Sequence, residues 1–255
     1  MAKKINVQLS EISALHYVKL TYRSLFFIIA LVTYIIARLE KSELPFGKLG
    51  EYGVVLIPCW IVLVAEMILR FFPSKLESMG CQKQFERNYL PDKENKKPTN
   101  ISGLATFGVA SSWIALNGII GILYFLGVFD EGILYLICFA YAVCDMICIL
   151  FFCPFQTWFM KNKCCTTCKI YNWDYAMMFT PLVFIPGIYT WSLLALAITI
   201  LIVWQVRLHR YPERFCEQTN QSLACRNCQE KLCHHKKQLQ HFLKEHRRAI
   251  TEEGF

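Results

Sequence analysis

Cysteine is the residue whose number and spacing most directly suggest chemistry in this sequence. The chain of 255 residues contains 13 cysteines. Outside the long apolar runs they fall mainly into a loop group near residue 165 and a tail group near residue 225. We expect both groups to face the cytoplasm, where thiols are normally kept reduced, so metal ligands or redox thiols are favoured over structural disulfides.

The tail group contains a Cys-x-x-Cys pair and further Cys and His residues that could bind a metal or cluster, although their spacing fits no standard finger or ferredoxin pattern. A Cys-x-x-Cys pair directs two thiolates from one tight turn at one ion, and a further Cys or His completes tetrahedral zinc. Four cysteines are also the usual ligand set of an iron-sulfur cluster. We predict zinc or an iron-sulfur cluster here, although reduced thiols or a disulfide would also fit the spacing. The predicted ligands are Cys216, Cys225, Cys228, Cys233 and His235.

The loop group consists of Cys164, Cys165 and Cys168. As cofactor ligands, these three would need a fourth, from Cys153, Cys81 or the tail. Alternatively, Cys165 and Cys168 form a Cys-x-x-Cys redox pair, in which one thiolate attacks and the other resolves a mixed disulfide. The sequence leaves both interpretations open.

Asp145 lies in the middle of an apolar run, where a carboxylate is costly and often functional. Helical spacing places it on one stripe with Cys138, Tyr141 and Cys148. This face could bind a soft ion, carry a proton or contact a quinone head group. In the alternative, Asp145 is protonated or hydrogen-bonded to Asn117. Glu66, in another run, has a potential partner four residues later in Arg70.

Long apolar runs must position these side chains. The sequence is 55% apolar and 18% charged, and several of its apolar runs reach the roughly 20 residues that cross a bilayer. These runs lack the alternation of barrel strands, so we predict an all-α integral membrane protein. The net charge of +8 is attributed to basic loops that set orientation, and no nucleic-acid partner is expected. The runs cover residues 25–37, 52–72, 102–129, 133–152 and 170–206.

The last run is too long for one span and is interrupted by Pro181, Pro186 and Gly187. A single final crossing would divide the basic residues almost equally between the two sides of the membrane. Two segments that turn near residues 185–189 would place nearly all of them on one side, as the positive-inside rule favours. We therefore predict five to six hydrophobic segments, preferably six, or five with a re-entrant hairpin. A membrane domain, 1–206, then precedes a cytoplasmic Cys/His-rich basic tail, 207–255.

These features favour a redox or electron-transfer component of the plasma membrane, with its N-terminus and tail in the cytoplasm. Electrons would pass through a metal, cluster or thiol pair to a redox partner protein or a quinone, with Asp145, Cys165 and Cys168 as candidate catalytic residues. The alternatives are a soft-metal transporter or sensor and a zinc-stapled structural subunit. An odd number of crossings would instead place the two cysteine groups on opposite faces. Gly-rich phosphate loops and H-E-x-x-H are absent from the sequence.

Overall fold

Helices dominate the computed structural model, which describes residues 11–40, 53–73, 79–92, 103–162, 164–228, 232–233 and 236–237. Among these residues there is no strand, and one isolated bridge joins Pro91 to Asn220. The helices are α1 (Glu11–Leu39), α2 (Gly53–Leu69), α3 (Met79–Lys83), α4 (Gly103–Phe125), α5 (Glu131–Leu150), α6 (Asp174–Phe179) and α7 (Ile188–Arg210).

Among the residues that the structure describes, four helices are long and apolar enough to cross a bilayer. They are Ala14–Leu39, Gly103–Phe125, Glu131–Leu150 and Ile188–Arg210, and Ile57–Leu69 is a shorter apolar helix. Large apolar side chains such as Phe107 and Ile114 remain exposed on α4, as expected of a surface in contact with lipid. The prediction of an all-helical membrane protein is confirmed at this level.

The turn between α4 and α5 follows from its sequence. Asp130 caps α5, and its carboxylate accepts a hydrogen bond from the backbone N–H of Ile133 at 2.9 Å. Arg38, at the end of α1, forms an ion pair with the same carboxylate. The end of α1 and the start of α5 therefore lie at the same end of the molecule.

The last hydrophobic region is divided into two segments. After α6, a 3₁₀ helix spans Thr180–Phe184, and α7 starts only after Pro186 and Gly187. The first segment starts beside α3, where Asn172 donates a hydrogen bond to Gln84 at 3.0 Å. The second ends beside α3 as well, because the rings of Trp204 and Phe85 are 5.3 Å apart. The chain therefore leaves this end of the molecule and returns to it.

The chain beyond α7 packs against the segment that follows α2. The buried side-chain amide of Asn220 donates hydrogen bonds to the carbonyls of Lys83 and Arg214. The backbone N–H of Gln221 donates to the carbonyl of Leu90 at 2.8 Å. The start of the tail and the α2–α4 connection therefore share one side of the structure.

Candidate functional site

Cysteines from three parts of the chain meet at the end of α5. Cys148 lies in the last turns of this helix, which ends at Leu150, and Cys153 follows it. A turn over Phe155–Phe159 then reverses the chain toward the cysteine loop, which we define as residues 164–168. Gln156 fixes this arrangement, because its amide donates to the carbonyl of Asn162 at 2.9 Å and accepts from the thiol of Cys165 at 2.8 Å.

A cavity of about 260 Å³, here called the inner cavity, extends from these thiols toward the middle of α5. Asp145 and Cys148 line it, together with aromatic side chains such as Trp113 and Tyr141. Its sulfur-bearing lining residues are Cys144, Cys148, Cys153, Cys165, Cys168, Met177 and Met178. The predicted catalytic residues Asp145, Cys165 and Cys168 thus all border one cavity.

A second cavity of about 210 Å³, the outer cavity, lies between the cysteine loop and the tail. Five cysteines line it: Cys153, Cys164, Cys165, Cys228 and Cys233. Cys153 and Cys165 line both cavities and therefore stand between them. The loop and tail cysteines, which are far apart in the sequence, lie on one face of the structure.

Cys148 and Cys153 form a hydrogen-bonded thiol pair. The hydrogen bond from Cys148 lowers the pKa of Cys153 to about 6, against the opposing effect of burial. The backbone N–H of Gln156, 3.4 Å from the sulfur, and the ammonium group of Lys236 act in the same direction. A thiolate is the nucleophile in thiol chemistry, so Cys153 is prepared to attack at neutral pH.

The predicted Cys165/Cys168 pair has a less reactive environment. Burial raises the pKa of Cys168 to about 12. Burial also raises the pKa of Cys165, although the Lys236 ammonium, 3.2 Å from its sulfur, opposes the effect. Both thiols border the inner cavity, but Cys153 is the stronger candidate for the attacking sulfur.

The partner of Asp145 is Arg23 of α1. The guanidinium of Arg23 is 2% exposed and forms ion pairs with Asp145 and Glu66, each at 2.9 Å. Asn117, the alternative partner suggested by the sequence, instead donates to the carbonyl of Trp113 in its own helix. A charge inside the bilayer is tolerated when it is paired, so this ion pair ties α1 to α2 and α5.

Glu66 is the acceptor at the centre of a larger polar cluster. Its carboxylate forms an ion pair with Lys19 at 3.0 Å and accepts hydrogen bonds from Tyr22 and Tyr175. Arg70, expected to pair with Glu66, forms an ion pair with Asp174 at the start of α6. The membrane-embedded charges thus connect α1, α2, α5 and α6 rather than neighbours in one helix.

The predicted metal ligands of the tail differ in exposure and do not all border one cavity. Cys216 is buried, whereas Cys225 and Cys233 are exposed and Cys228 is half-buried. Cys228 and Cys233 border the outer cavity together with the loop cysteines, and His235 lies outside the described residues. In the part of the chain that the structure describes, no group of three or more His, Cys, Asp or Glu side chains is arranged to hold a metal ion.

Three residues of this site, Cys148, Cys153 and Arg23, could not be assigned from sequence motifs. Cys148 and Cys153 are five positions apart, across a helix end, and match no standard redox spacing. In the sequence, Arg23 resembles an ordinary basic residue that flanks the first span. Asp145 and Glu66, however, lie in other apolar runs, and carboxylates there need a cationic partner. This need was the only sequence evidence that pointed to Arg23.

Comparison with known proteins gave no match: no protein-family profile, curated protein or solved structure is detectably similar to this chain. Its function must therefore be inferred from the site itself.

Proposed function

We propose that this protein is a thiol-based redox component of a membrane, which transfers electrons between cysteine pairs and a lipid-soluble carrier of the quinone class. The observation that carries the proposal is the inner cavity, where the Cys148/Cys153 pair and Asp145 border one largely apolar space. An apolar cavity with a few convergent polar groups is the usual form of a small-molecule site.

The reaction balances with one proton from water. The Cys148 thiol and the Cys153 thiolate become a disulfide and release two electrons and one proton, and a quinone that becomes a quinol takes these up together with a second proton from water. In this scheme the Cys153 thiolate adds to the quinone ring, and Cys148 then attacks the Cys153 sulfur, which forms the disulfide, breaks the carbon–sulfur bond and releases the ring as quinol. Cys165 and Cys168 are the adjacent thiols that exchange with this pair.

Asp145 serves as the polar group of the cavity wall in this proposal. Its carboxylate is held by the ion pair with Arg23 and can accept a hydrogen bond from a quinol hydroxyl. The aromatic side chains that line the cavity provide flat apolar surfaces for a ring.

The proposed setting is the plasma membrane, with the N-terminus, the cysteine loop and the tail in the cytoplasm. The distribution of basic residues supports this orientation. We retain six crossings, or five with a re-entrant hairpin, and the segment 174–187 would be the short crossing or hairpin. Residues 1–206 would form the membrane domain and 207–255 the cytoplasmic tail.

A metal-containing form of the same proposal rests on the five thiols around the outer cavity. Thiolates favour zinc and iron-sulfur clusters, and the tail ligands Cys216, Cys225, Cys228, Cys233 and His235 remain our proposed set. A soft-metal transporter or a zinc-stapled subunit would use the same ligands. Elemental analysis and a visible spectrum of protein purified without oxygen distinguish these forms: iron and sulfide indicate electron transfer through a cluster, and zinc alone indicates transport or a structural role.

The decisive experiment measures quinone-dependent thiol oxidation. Reduced protein is incubated without oxygen with a short-chain ubiquinone, and the remaining thiols are alkylated and counted by mass spectrometry. We expect the loss of two thiols per quinol formed, at Cys148 and Cys153. The Cys153→Ser variant should lose the reaction, whereas Cys59→Ser, which replaces a buried thiol of α2 outside both cavities, should retain it. An unchanged thiol count with quinone would contradict the proposal.

A further inference from the structure

The tail packs across the end of α5 at residues 232–233 and 236–237. Leu232 is buried in a cluster with Met146, Ile149 and Leu150. Lys236 donates hydrogen bonds to the carbonyl of Cys148 at 3.1 Å and to the sulfur of Cys165 at 3.2 Å. The contacts of Leu232 and Lys236 hold these two residues next to Cys148 and Cys165.

This seating brings a tail cysteine to a loop cysteine. Cys164 and Cys233 both line the outer cavity, and the thiol of Cys233 donates a hydrogen bond to the sulfur of Cys164. Residue Cys233 as a whole is nevertheless exposed, whereas Cys148 and Cys153 are half-buried. The pair is therefore accessible from water and also borders the outer cavity that Cys153 lines.

We propose that Cys164 and Cys233 form a second redox pair, which relays electrons between a soluble dithiol protein and the Cys148/Cys153 pair. The relay rests on the proposed function, because the Cys164/Cys233 pair would supply electrons to the Cys148/Cys153 pair. It also identifies the class of aqueous partner: a protein with a vicinal dithiol that reaches exposed Cys233 but is too large to enter the outer cavity.

The transfer is two thiol–disulfide exchanges. The Cys164 thiolate attacks the sulfur of Cys153 in the Cys148–Cys153 disulfide, which forms a Cys164–Cys153 bond and releases Cys148 as a thiolate. The proton of Cys233 passes to Cys148, and the Cys233 thiolate then attacks Cys164 and releases Cys153 as a thiolate. One disulfide has broken and one has formed. Two electrons and one proton have passed from the Cys164/Cys233 pair to the Cys148/Cys153 pair. The external dithiol then reduces the Cys164–Cys233 disulfide and is itself oxidised to a disulfide.

The hydrogen-bonding pattern matches this exchange. In each pair one sulfur donates its proton and the other accepts it: Cys148 donates to Cys153, and Cys233 donates to Cys164. Cys165, which borders both cavities, lies close to Cys153 and Cys164. The loop therefore places its thiols between the tail and the cavity pair.

Disulfide mapping tests the relay on the full-length protein. The quinone-oxidised protein is treated with substoichiometric reduced thioredoxin as the dithiol probe, alkylated with N-ethylmaleimide and digested with trypsin. The cleavage sites at Lys163, Lys169, Lys231 and Lys236 release one peptide that carries the cysteine loop and another that carries Cys233. We expect these two peptides to be joined by a disulfide.

Matched variants assign the bond. Cys164→Ser and Cys233→Ser should each lose the linked peptides and also lose reduction of the Cys148–Cys153 disulfide by thioredoxin. Cys59→Ser, which alters a buried thiol of α2 outside both cavities, should retain both. If the Cys148–Cys153 disulfide forms with quinone but thioredoxin reduces it equally well in Cys233→Ser, the relay is wrong and the proposed function stands. If quinone produces no Cys148–Cys153 disulfide, the proposed function itself fails.

Discussion

At the scale of single residues, the surroundings of each cysteine give chemically identical thiols different pKa values. Cys153 accepts hydrogen bonds at the end of a helix, whereas Cys168 is buried beside Val109 and Ile170. The first environment stabilises a thiolate and the second disfavours it. Reactivity is thereby concentrated at one sulfur among many.

The pH dependence of alkylation tests this assignment. Because the pKa of Cys153 is lowered to about 6, its thiolate fraction rises as the pH rises through that value and is nearly complete at pH 8. We expect iodoacetamide to modify Cys153 with a midpoint near pH 6, as followed by mass spectrometry. The exposed control, Cys225, has a raised pKa and should react only at higher pH. Replacement of Cys148 with Ala should shift the Cys153 midpoint upward, and an unshifted midpoint would remove the hydrogen bond as the cause.

Arg23 is the residue whose loss should most affect stability. Arg23→Met leaves the carboxylates of Glu66 and Asp145 without their shared cation, and breaking a buried ion pair in this way costs about 3–5 kcal/mol. Thermal unfolding in detergent would measure the loss. Arg38→Met is the matched control on the same helix, because its ion pair with Asp130 is exposed and should contribute far less. Equal losses in the two variants would contradict a structural role for the buried cluster.

At the scale of secondary-structure elements, the interrupted segment after Asp174 contacts both α2 and α4. Its short helices carry Tyr175 to Glu66 and Phe184 to the surface of α4. A continuous helix could not make both contacts and then reverse into α7. The prolines and Gly187 supply the interruption.

Close packing at Gly121 provides a test of this segment. A Cβ at residue 121 would lie 2.8 Å from Cε1 of Phe184, so the ring must move in the Gly121→Ala variant. We expect a loss of about 1–3 kcal/mol, typical of overpacking, measured as a lower unfolding midpoint. Phe184→Leu combined with Gly121→Ala should recover part of the loss. Gly118→Ala, on the same helix with no atom within 4 Å of the added Cβ, should leave the midpoint nearly unchanged. Strictly additive effects in the double variant would show that the two residues do not interact.

At the scale of the whole molecule, the two ends of the helical bundle differ in chemistry. The cysteine loop, the described start of the tail and the described segment 79–92 lie at one end, and the turn between α4 and α5 lies at the other. The 20 residues of α5 separate these ends by about 30 Å. If α5 crosses the membrane, the cysteine loop and the α4–α5 turn lie on opposite sides of it.

Cysteine labelling from each side tests that arrangement. A membrane-impermeant maleimide applied to intact cells should modify Val128→Cys, in the exposed α4–α5 turn, but not Cys225. Inside-out vesicles should give the reverse pattern, with each modified peptide identified by mass spectrometry. Buried Cys138 should remain unmodified in both preparations. Modification of both positions from the same side would contradict the transmembrane arrangement.

The sequence by itself determined the fold class and the break in the last hydrophobic region. Run length reports directly on the capacity to cross a bilayer, and Pro181, Pro186 and Gly187 interrupt a helix through local geometry. It also identified Asp145 and the loop cysteines as residues of interest. The number of crossings, the metal ligands and the membrane orientation remain predictions.

Only the tertiary structure decided which of these residues meet. Arg23 reaches Asp145 over 122 positions of sequence, and Lys236 reaches Cys165 over 71. Periodicity and motif spacing describe neighbours within one element, whereas these contacts depend on how α1, α5 and the tail pack together. The Cys148/Cys153 pair likewise depends on where α5 ends and the chain turns, because a helix end fixes distances that sequence spacing does not.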